Sequence, residues 1–260
     1  MPFPRVKGHV YHYDNHLPLA IMWKNHIQNP GRKIDDYVSF IDFAPTFLEA
    51  AGLSQSRSAM QPIQGKSLMN ILDSKESGII DAKRDHVLIG RERTDVGRPN
   101  DEGYPVRAII KNDMIYIKNY EPTRWPSGNP ETGYMDTDGS PTKTEILMAN
   151  RNGQYQNIWH LSFGKRPAEE LYLLGKDPYS LSNLAGSPEY KKAKTALLIL
   201  MESELKAQND PRMFGKGYLF ENYPYSESNV RNFYERYLKG EKIKTNWIEP
   251  SDFEKEKIKQ

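Results

Sequence analysis

Tyr37-Val-Ser-Phe-Ile41 runs directly into Asp42-Phe-Ala-Pro45-Thr46-Phe-Leu-Glu-Ala-Ala51-Gly52, and this stretch decides the fold class. The first five residues form a short, largely apolar run that predicts a buried strand. Asp42 predicts a helix N-cap, with Pro45 tolerated in the first turn because its missing N–H would have been unpaired there anyway. Phe43, Phe47, Leu48 and Ala51 share a helical face, and Gly52 predicts a left-handed stop. Outward toward the amino terminus, Pro18-Leu-Ala-Ile-Met-Trp23 predicts another buried strand, followed by a turn at Asn29-Pro30-Gly31. Strand, turn, strand and capped helix predict the rim of an α/β layer.

Toward the carboxy terminus, residues 54 to 85 predict surface loop with one short helix around Ser67 to Leu72. From His86 the hydrophobic period falls to two. His86-Val-Leu-Ile89, Val106-Arg-Ala-Ile-Ile110 and Met114-Ile-Tyr-Ile-Lys118 predict half-buried strands, with Lys111-Asn-Asp113 as a hairpin connection. Glu170-Leu-Tyr-Leu-Leu174 predicts a fourth strand. The polar excursion 121 to 165, rich in Pro, Gly, Thr and Asn, predicts a long loop of the functional or disordered kind. Ser187-Pro188 opens a long helix whose apolar stripe is Tyr190, Ala193, Leu197, Met201 and Leu205. The segmentation is therefore 1–80 as α/β, 81–212 as a small α+β unit with an antiparallel sheet and one long helix, and 213–260 as an irregular, aromatic tail.

Composition narrows the function. The chain has 260 residues, with Lys+Arg 36 against Asp+Glu 34 and a formal charge of +2, so it has no global electrostatic footprint for nucleic acid. Mean hydropathy is −0.76, and no run approaches the ~20 apolar residues of a membrane span. The absence of cysteine excludes disulfides, thiolate zinc sites and a cysteine nucleophile. Met1-Pro-Phe-Pro-Arg5 lacks the features of a signal peptide and reads as the middle of a loop.

Three clusters carry candidate chemistry. Arg5, Lys7, His9, His12 and His16 crowd together with Tyr11, Tyr13 and Asp14. This pattern fits anion binding, a solvated cluster or, only if helical, a metal pair at His12 and His16. Arg91-Glu92-Arg93 with Gly97-Arg98-Pro99 offers guanidinium forks suited to carboxylate or sulfate, or equally a strand-end salt-bridge net. Asn119-Tyr-Glu-Pro-Thr-Arg-Trp125 suits sugar stacking with hydroxyl recognition, or plain loop packing. Phosphate-binding glycine loops, a serine elbow and metalloprotease helices are absent from the sequence.

Arg5-Val-Lys7-Gly8, Tyr11, Pro18-Leu-Ala-Ile, Val38 through Leu53 and Gln64-Gly65-Lys-Ser67-Leu68 resemble, in that order, the type I (formylglycine-dependent) sulfatases. Gly103-Tyr-Pro-Val-Arg107, Tyr116 through Trp125, Gly164 through Tyr172 and Asp177-Pro178 through Leu184 resemble the family's carboxy-terminal subdomain. The branch is the heparan N-sulfatase-like, or N-sulfoglucosamine sulfohydrolase-like, one. The resemblance implies an alkaline-phosphatase-like α/β fold, represented here by the end of the large domain plus the small α+β subdomain. It implies hydrolysis of sulfate esters or sulfamates on a sulfated, heparan-type saccharide. It makes Lys7 the catalytic sulfate contact, with His9, His16, Arg91, Arg93 and Arg124 as substrate-binding candidates.

The family's formylglycine segment and calcium-binding carboxylates have no counterpart in this sequence, so both groups are expected of an intact parent and no metal ligand is assigned here. The chain is accordingly expected to be a carboxy-terminal portion, inert alone, that meets an amino-terminal sulfatase partner. No nucleic acid or membrane partner is expected, and the family implies a periplasmic or extracellular location. Where many members have an acid, two small residues and an arginine before the proline, this sequence has His12-Tyr-Asp-Asn-His16, which puts His16 in the arginine's place. The alternatives are a non-catalytic sulfated-glycan-binding module, a phosphatase or phosphodiesterase relative on the same scaffold, and a gene fragment without activity.

Overall fold

The computed structural model describes residues 8–54, 56, 59–245, 247–256 and 258. Two compact units emerge, one from residues 1–17, 88–109 and 113–260 and the other from residues 18–87 and 110–112. The helices are α1 (His12–Asn15), α2 (Phe43–Ala50), α3 (Met69–Asp73), α4 (Pro141–Arg151), α5 (Gln156–Phe163), α6 (Lys191–Ala207), α7 (Tyr218–Asn222) and α8 (Phe233–Leu238). The strands are β1 (His86–Arg91), β2 (Val106–Lys111), β3 (Met114–Asn119) and β4 (Glu169–Leu173).

The four strands form one sheet in sequential order. Asn112 and Asp113 link β2 to β3 with φ of 50° and 61°. Positive φ at both central residues is the two-residue turn whose twist matches a hairpin. β3 and β4 run antiparallel, from Met114 opposite Leu173 to Lys118 opposite Glu169. The apolar stripe of α6 covers this sheet: Leu197, Met201 and Leu205 pack with Ile109, Tyr116 and Leu171. Each such side chain taken fully from water contributes about 1.5–3 kcal/mol. The antiparallel sheet with one long helix is therefore present, with each strand end within two residues of its expected place.

The 121–165 stretch is a correction. Instead of a long loop it carries α4 and α5, whose Ile146, Leu147, Trp159 and Phe163 close on Trp125 and Tyr134 as a buried cluster. The reason is local and strong: the Ser140 hydroxyl accepts from Lys143 N (3.2 Å) and Pro141 follows at the first helical position. The tail is also more ordered than its composition implies. Val230, Phe233 and Ile248 share a core with Val96 and Met135.

In the other unit, neither 18–23 nor 37–41 forms a strand. Phe40–Asp42 is a 3-10 turn, and Phe40 and Ile41 stay exposed. An apolar run becomes a strand only when a neighbour takes its backbone groups. Between residues 18 and 85 the β-pairing among the described residues is one parallel bridge, Ile34 to Gly78. α2 forms as expected and ends at Gly52 with φ 67°. Asp42 precedes α2 but does not cap it: its backbone is already helical and its carboxylate accepts instead from Ser39 N (3.0 Å), Lys66 N (2.7 Å) and Arg84 Nη1 (2.9 Å). Gly65 is obligatory beside it, because a Cβ there would lie 1.9 Å from Ile41 O.

Candidate functional site

The segment 8–16 lies over the sheet of the larger unit. Gly8 adopts φ +84°, and a Cβ there would meet Arg91 Nη1 at 3.3 Å. Tyr11 is buried, and its hydroxyl donates to Glu170 Oε2 at 2.9 Å. The same carboxylate takes Tyr172 OH at 2.6 Å and Asn119 Nδ2 at 2.8 Å. Three donors from three segments thus converge on one carboxylate, itself only 2% exposed, and satisfy it without a salt bridge among the described residues. The Arg166 guanidinium lies 5.9 Å from the Tyr11 ring centre. His9 Nε2 stands 3.5 Å from Ser127 Oγ. Lys7 and Arg5 lie outside the described residues.

Arg91, at the end of β1, closes the other side. It donates to Pro126 O (2.7 Å) and Asp136 Oδ2 (3.0 Å). Arg98 binds the same Asp136 oxygen and adds Trp125 O (2.8 Å) and Pro126 O (3.0 Å). Thr94 Oγ1 donates to the second Asp136 oxygen at 2.8 Å. Burial works to raise the Asp136 carboxyl, but Arg98 and Arg91 outweigh it and hold the group below the usual carboxylate range. Tyr104 lies beneath Arg91, 5.8 Å from guanidinium carbon to ring centre, and burial pushes its hydroxyl up.

His9, Tyr11, Arg91, Tyr104, Asn119, Arg166 and Glu170 line a small cavity of about 10 Å³, the size of one water. Three buried donor atoms at this place, Tyr104 OH, Arg91 Nε and Arg166 Nε, have no partner among the described residues. Such donors can hold a water or a single oxygen of an anion. Among the described residues no group of three or more His, Cys, Asp or Glu could hold a metal ion.

The remaining candidates lie apart from this cavity. His16 follows α1, exposed, with its ring 4.6 Å from that of His12. Burial, then His16, lowers the His12 pKa against the pull of Asp113. Arg93 donates to Asp101 O (3.3 Å) and Tyr223 O. Arg124 donates to Gly103 O (3.0 Å) and Glu221 Oε1 (2.7 Å) and pairs with Glu102. Arg93 and Arg124 thus hold the segment around α7. The cavity brings together His9 and Arg91 and adds Tyr104, Arg166 and Glu170, which the sequence reading missed. Glu170 left a detectable signal: it is a charge at a position where the strand pattern demands burial. Asp136 left none, lying in a stretch read as loop.

Similarity to known proteins supplies the class. Residues 6–87 match the family described as N-sulphoglucosamine sulphohydrolase, C-terminal. An ulvan-active sulfatase of Formosa agariphila is 29% identical over 216 residues, covering 80% of this chain and 32% of its own length. Human N-sulphoglucosamine sulphohydrolase is 22% identical over 201 residues, covering 73% of this chain and 36% of its own length. The chain is therefore similar to the carboxy-terminal portion of sulfatases, and it spans about a third of the length of these curated relatives. Among solved structures, a protein in complex with its substrate D-glucosamine-2-N,6-O-disulfate aligns with TM-score 0.39 and 23% identity, over 65% of this chain and 24% of its own. A 2-O GAG sulfatase aligns with TM-score 0.38 and 17% identity, over 70% and 28%.

Proposed function

We propose that this chain is the carboxy-terminal part of a sulfatase that hydrolyses sulfate esters or sulfamates of a sulfated saccharide, of heparan type. The observation that supports it most is the seat of the segment 8–11. This segment lies within the residues that match the sulfatase family, and Tyr11 fastens it to Glu170 beside a cavity lined by His9, Arg91 and Arg166. Lys7, the residue immediately before it in the chain, is the sulfate contact in this proposal. A lysine at ~4 Å from a sulfate contributes about 4 kcal/mol at an effective dielectric of ~20. His9 and Arg91 border the saccharide; His16, Arg93 and Arg124 would reach it only at a wider rim.

The described residues do not fit calcium, since no cluster of ligands is present among them. Calcium and formylglycine would come from an amino-terminal sulfatase portion acting as partner, and no step through either is assigned to this chain. No described helix is long and apolar enough to cross a membrane, and the proposed site of action is periplasmic or extracellular.

The experiment is sulfate release from N-sulfated glucosamine and from ulvan oligosaccharide. It compares the chain alone with the chain joined in one reading frame to an amino-terminal sulfatase portion. The joined protein is expected to turn over and the isolated chain not to. Lys7→Ala is expected to reduce the rate by roughly 10²–10³, the usual cost of one lost transition-state stabiliser. Unchanged activity removes Lys7 from the mechanism, and turnover of an added phosphate monoester, with no sulfate released from the sulfated saccharides, moves the chain to the phosphatase class. The alternative role, a sulfated-glycan-binding module, predicts retention on a heparin column without turnover.

A further inference from the structure

We propose that residues 247–254 act as a positioning strap. Through Asp252 and the ammonium of Lys143 they fix the 126–139 loop, and with it the Asp136 carboxylate that holds Arg91 at the cavity. The functional consequence rests on the sulfated-saccharide assignment above; the mechanical claim does not.

Lys143, on α4, is fully buried, and Nζ donates to Gly133 O (2.7 Å), Thr137 O (2.6 Å) and Tyr134 O (3.3 Å). All three acceptors lie on one loop. The counter-charge comes from the strap: Asp252 Oδ2 is 3.5 Å away and equally buried, while its other oxygen accepts from Thr144 Oγ1 at 2.7 Å. A buried ammonium needs both its hydrogen bonds and its counter-ion, because removing one partner strands the other charge.

The strap and loop are also tied main chain to main chain. Gly139 N donates to Trp247 O (2.6 Å) and Glu254 N to Pro130 O (3.1 Å). Trp247 Nε1 donates to Met135 O (3.3 Å), and Arg151 holds Ser251 O (2.8 Å) and Glu254 Oε2 (2.9 Å). A Cβ on Gly133 would lie 2.9 Å from Ile248, so the two segments touch without a gap. The other face of the loop carries the site side: Asp136 with Arg91 and Arg98, Pro126 O with both arginines, and Ser127 near His9. Asp136 N donates to Ser127 O at 3.0 Å and Thr137 N to Tyr134 O at 2.9 Å, which join the two faces.

Replacing a buried ion pair by apolar side chains of similar size is often neutral for stability. A purely structural pair therefore predicts that Lys143→Met/Asp252→Leu behaves as wild type, and this double variant separates fixing from folding. The test uses the full chain. It reads amide hydrogen exchange at Gly128, Asp136 and Thr137, the side-chain Nε–H resonance of Arg91, and affinity for D-glucosamine-2-N,6-O-disulfate well below each melting point. Asp252→Asn is expected to raise loop exchange at least 10-fold, shift the Arg91 resonance and weaken probe binding at least 5-fold, with exchange in α6 unchanged.

Where Asp252→Asn fails to fold, the double variant decides: native stability with a loosened loop supports the strap. Native exchange and an unshifted Arg91 resonance in a folded variant overturn it. If the wild-type chain binds no probe, the saccharide assignment of the cavity falls, and the exchange and resonance data still decide the strap.

Discussion

Replacing Asp136 by asparagine keeps the shape of the side chain and removes the negative charge that two guanidinium groups share. The Asp136 side chain is 0% exposed, that of Arg98 1% and that of Arg91 7%, so water cannot take over its role. Both arginines keep Pro126 O as a partner, and Arg98 also keeps Trp125 O. What the variant loses is the counter-charge. Breaking a buried pair by removing one partner costs about 3–5 kcal/mol, and a carboxylate shared by two cations belongs at the upper end.

At roughly 2–4 °C per kcal/mol for a chain of this size, the melting temperature should fall by about 6–20 °C. The measurement is urea and thermal unfolding of both proteins across pH. The sign follows from linkage: the folded carboxyl sits below its ordinary value of 3.8, so its contribution is present above that pH and is lost as pH falls through the folded value. The gap between wild type and Asp136→Asn should therefore be constant near neutrality and narrow below about pH 4. A loss under about 1 kcal/mol at pH 7, or a gap that ignores acid, would refute the view that this carboxylate neutralises the two arginines.

Two further outcomes follow from the same geometry. Tyr11→Phe removes one of three donors to Glu170 and is expected to cost about 1–3 kcal/mol, with faster hydrogen exchange at residues 9–11; an unchanged exchange pattern would mean that Tyr11 does not seat the segment. Lys143 has its pKa pulled from 10.5 down to about 8, chiefly by burial and against the attraction of Asp252, Asp138 and Asp95. The unfolded chain then holds a proton between about pH 8 and 10.5 that the folded chain has released, so this group's contribution to stability rises with pH across that window. Lys143→Met should flatten the wild-type rise, and a rise of equal size in both proteins would assign it to another group.

The sheet, the long helix and α2 were legible because each is written in local pattern. β2 and β3 are short apolar runs on either side of a turn, although they are buried on both faces and not half-buried as their period implies; Leu197, Met201 and Leu205 repeat every four residues, and Gly52 stops α2. The two runs at 18–23 and 37–41 were misread because an apolar stretch does not say whether a partner strand exists. α4 and α5 were overlooked beneath their polar composition, although Ser140-Pro141 is a helix start by its own chemistry. Of the site, the arginines and histidines were visible as residue types, but their partners were not.

The sequence by itself determined the likeness to sulfatases, the four apolar strands and the long helix, since these depend on order and spacing along the chain. The tertiary structure alone decided which charges meet. Arg91 reaches Asp136 across 45 positions, Tyr11 reaches Glu170 across 159, and Lys143 lies 3.5 Å from Asp252 with both side chains buried. Coulomb attraction and hydrogen bonding fall off with distance in space, not in sequence. Two arginines of the same strand-end motif therefore end in different places, Arg91 against the cavity and Arg93 against the backbone of Tyr223.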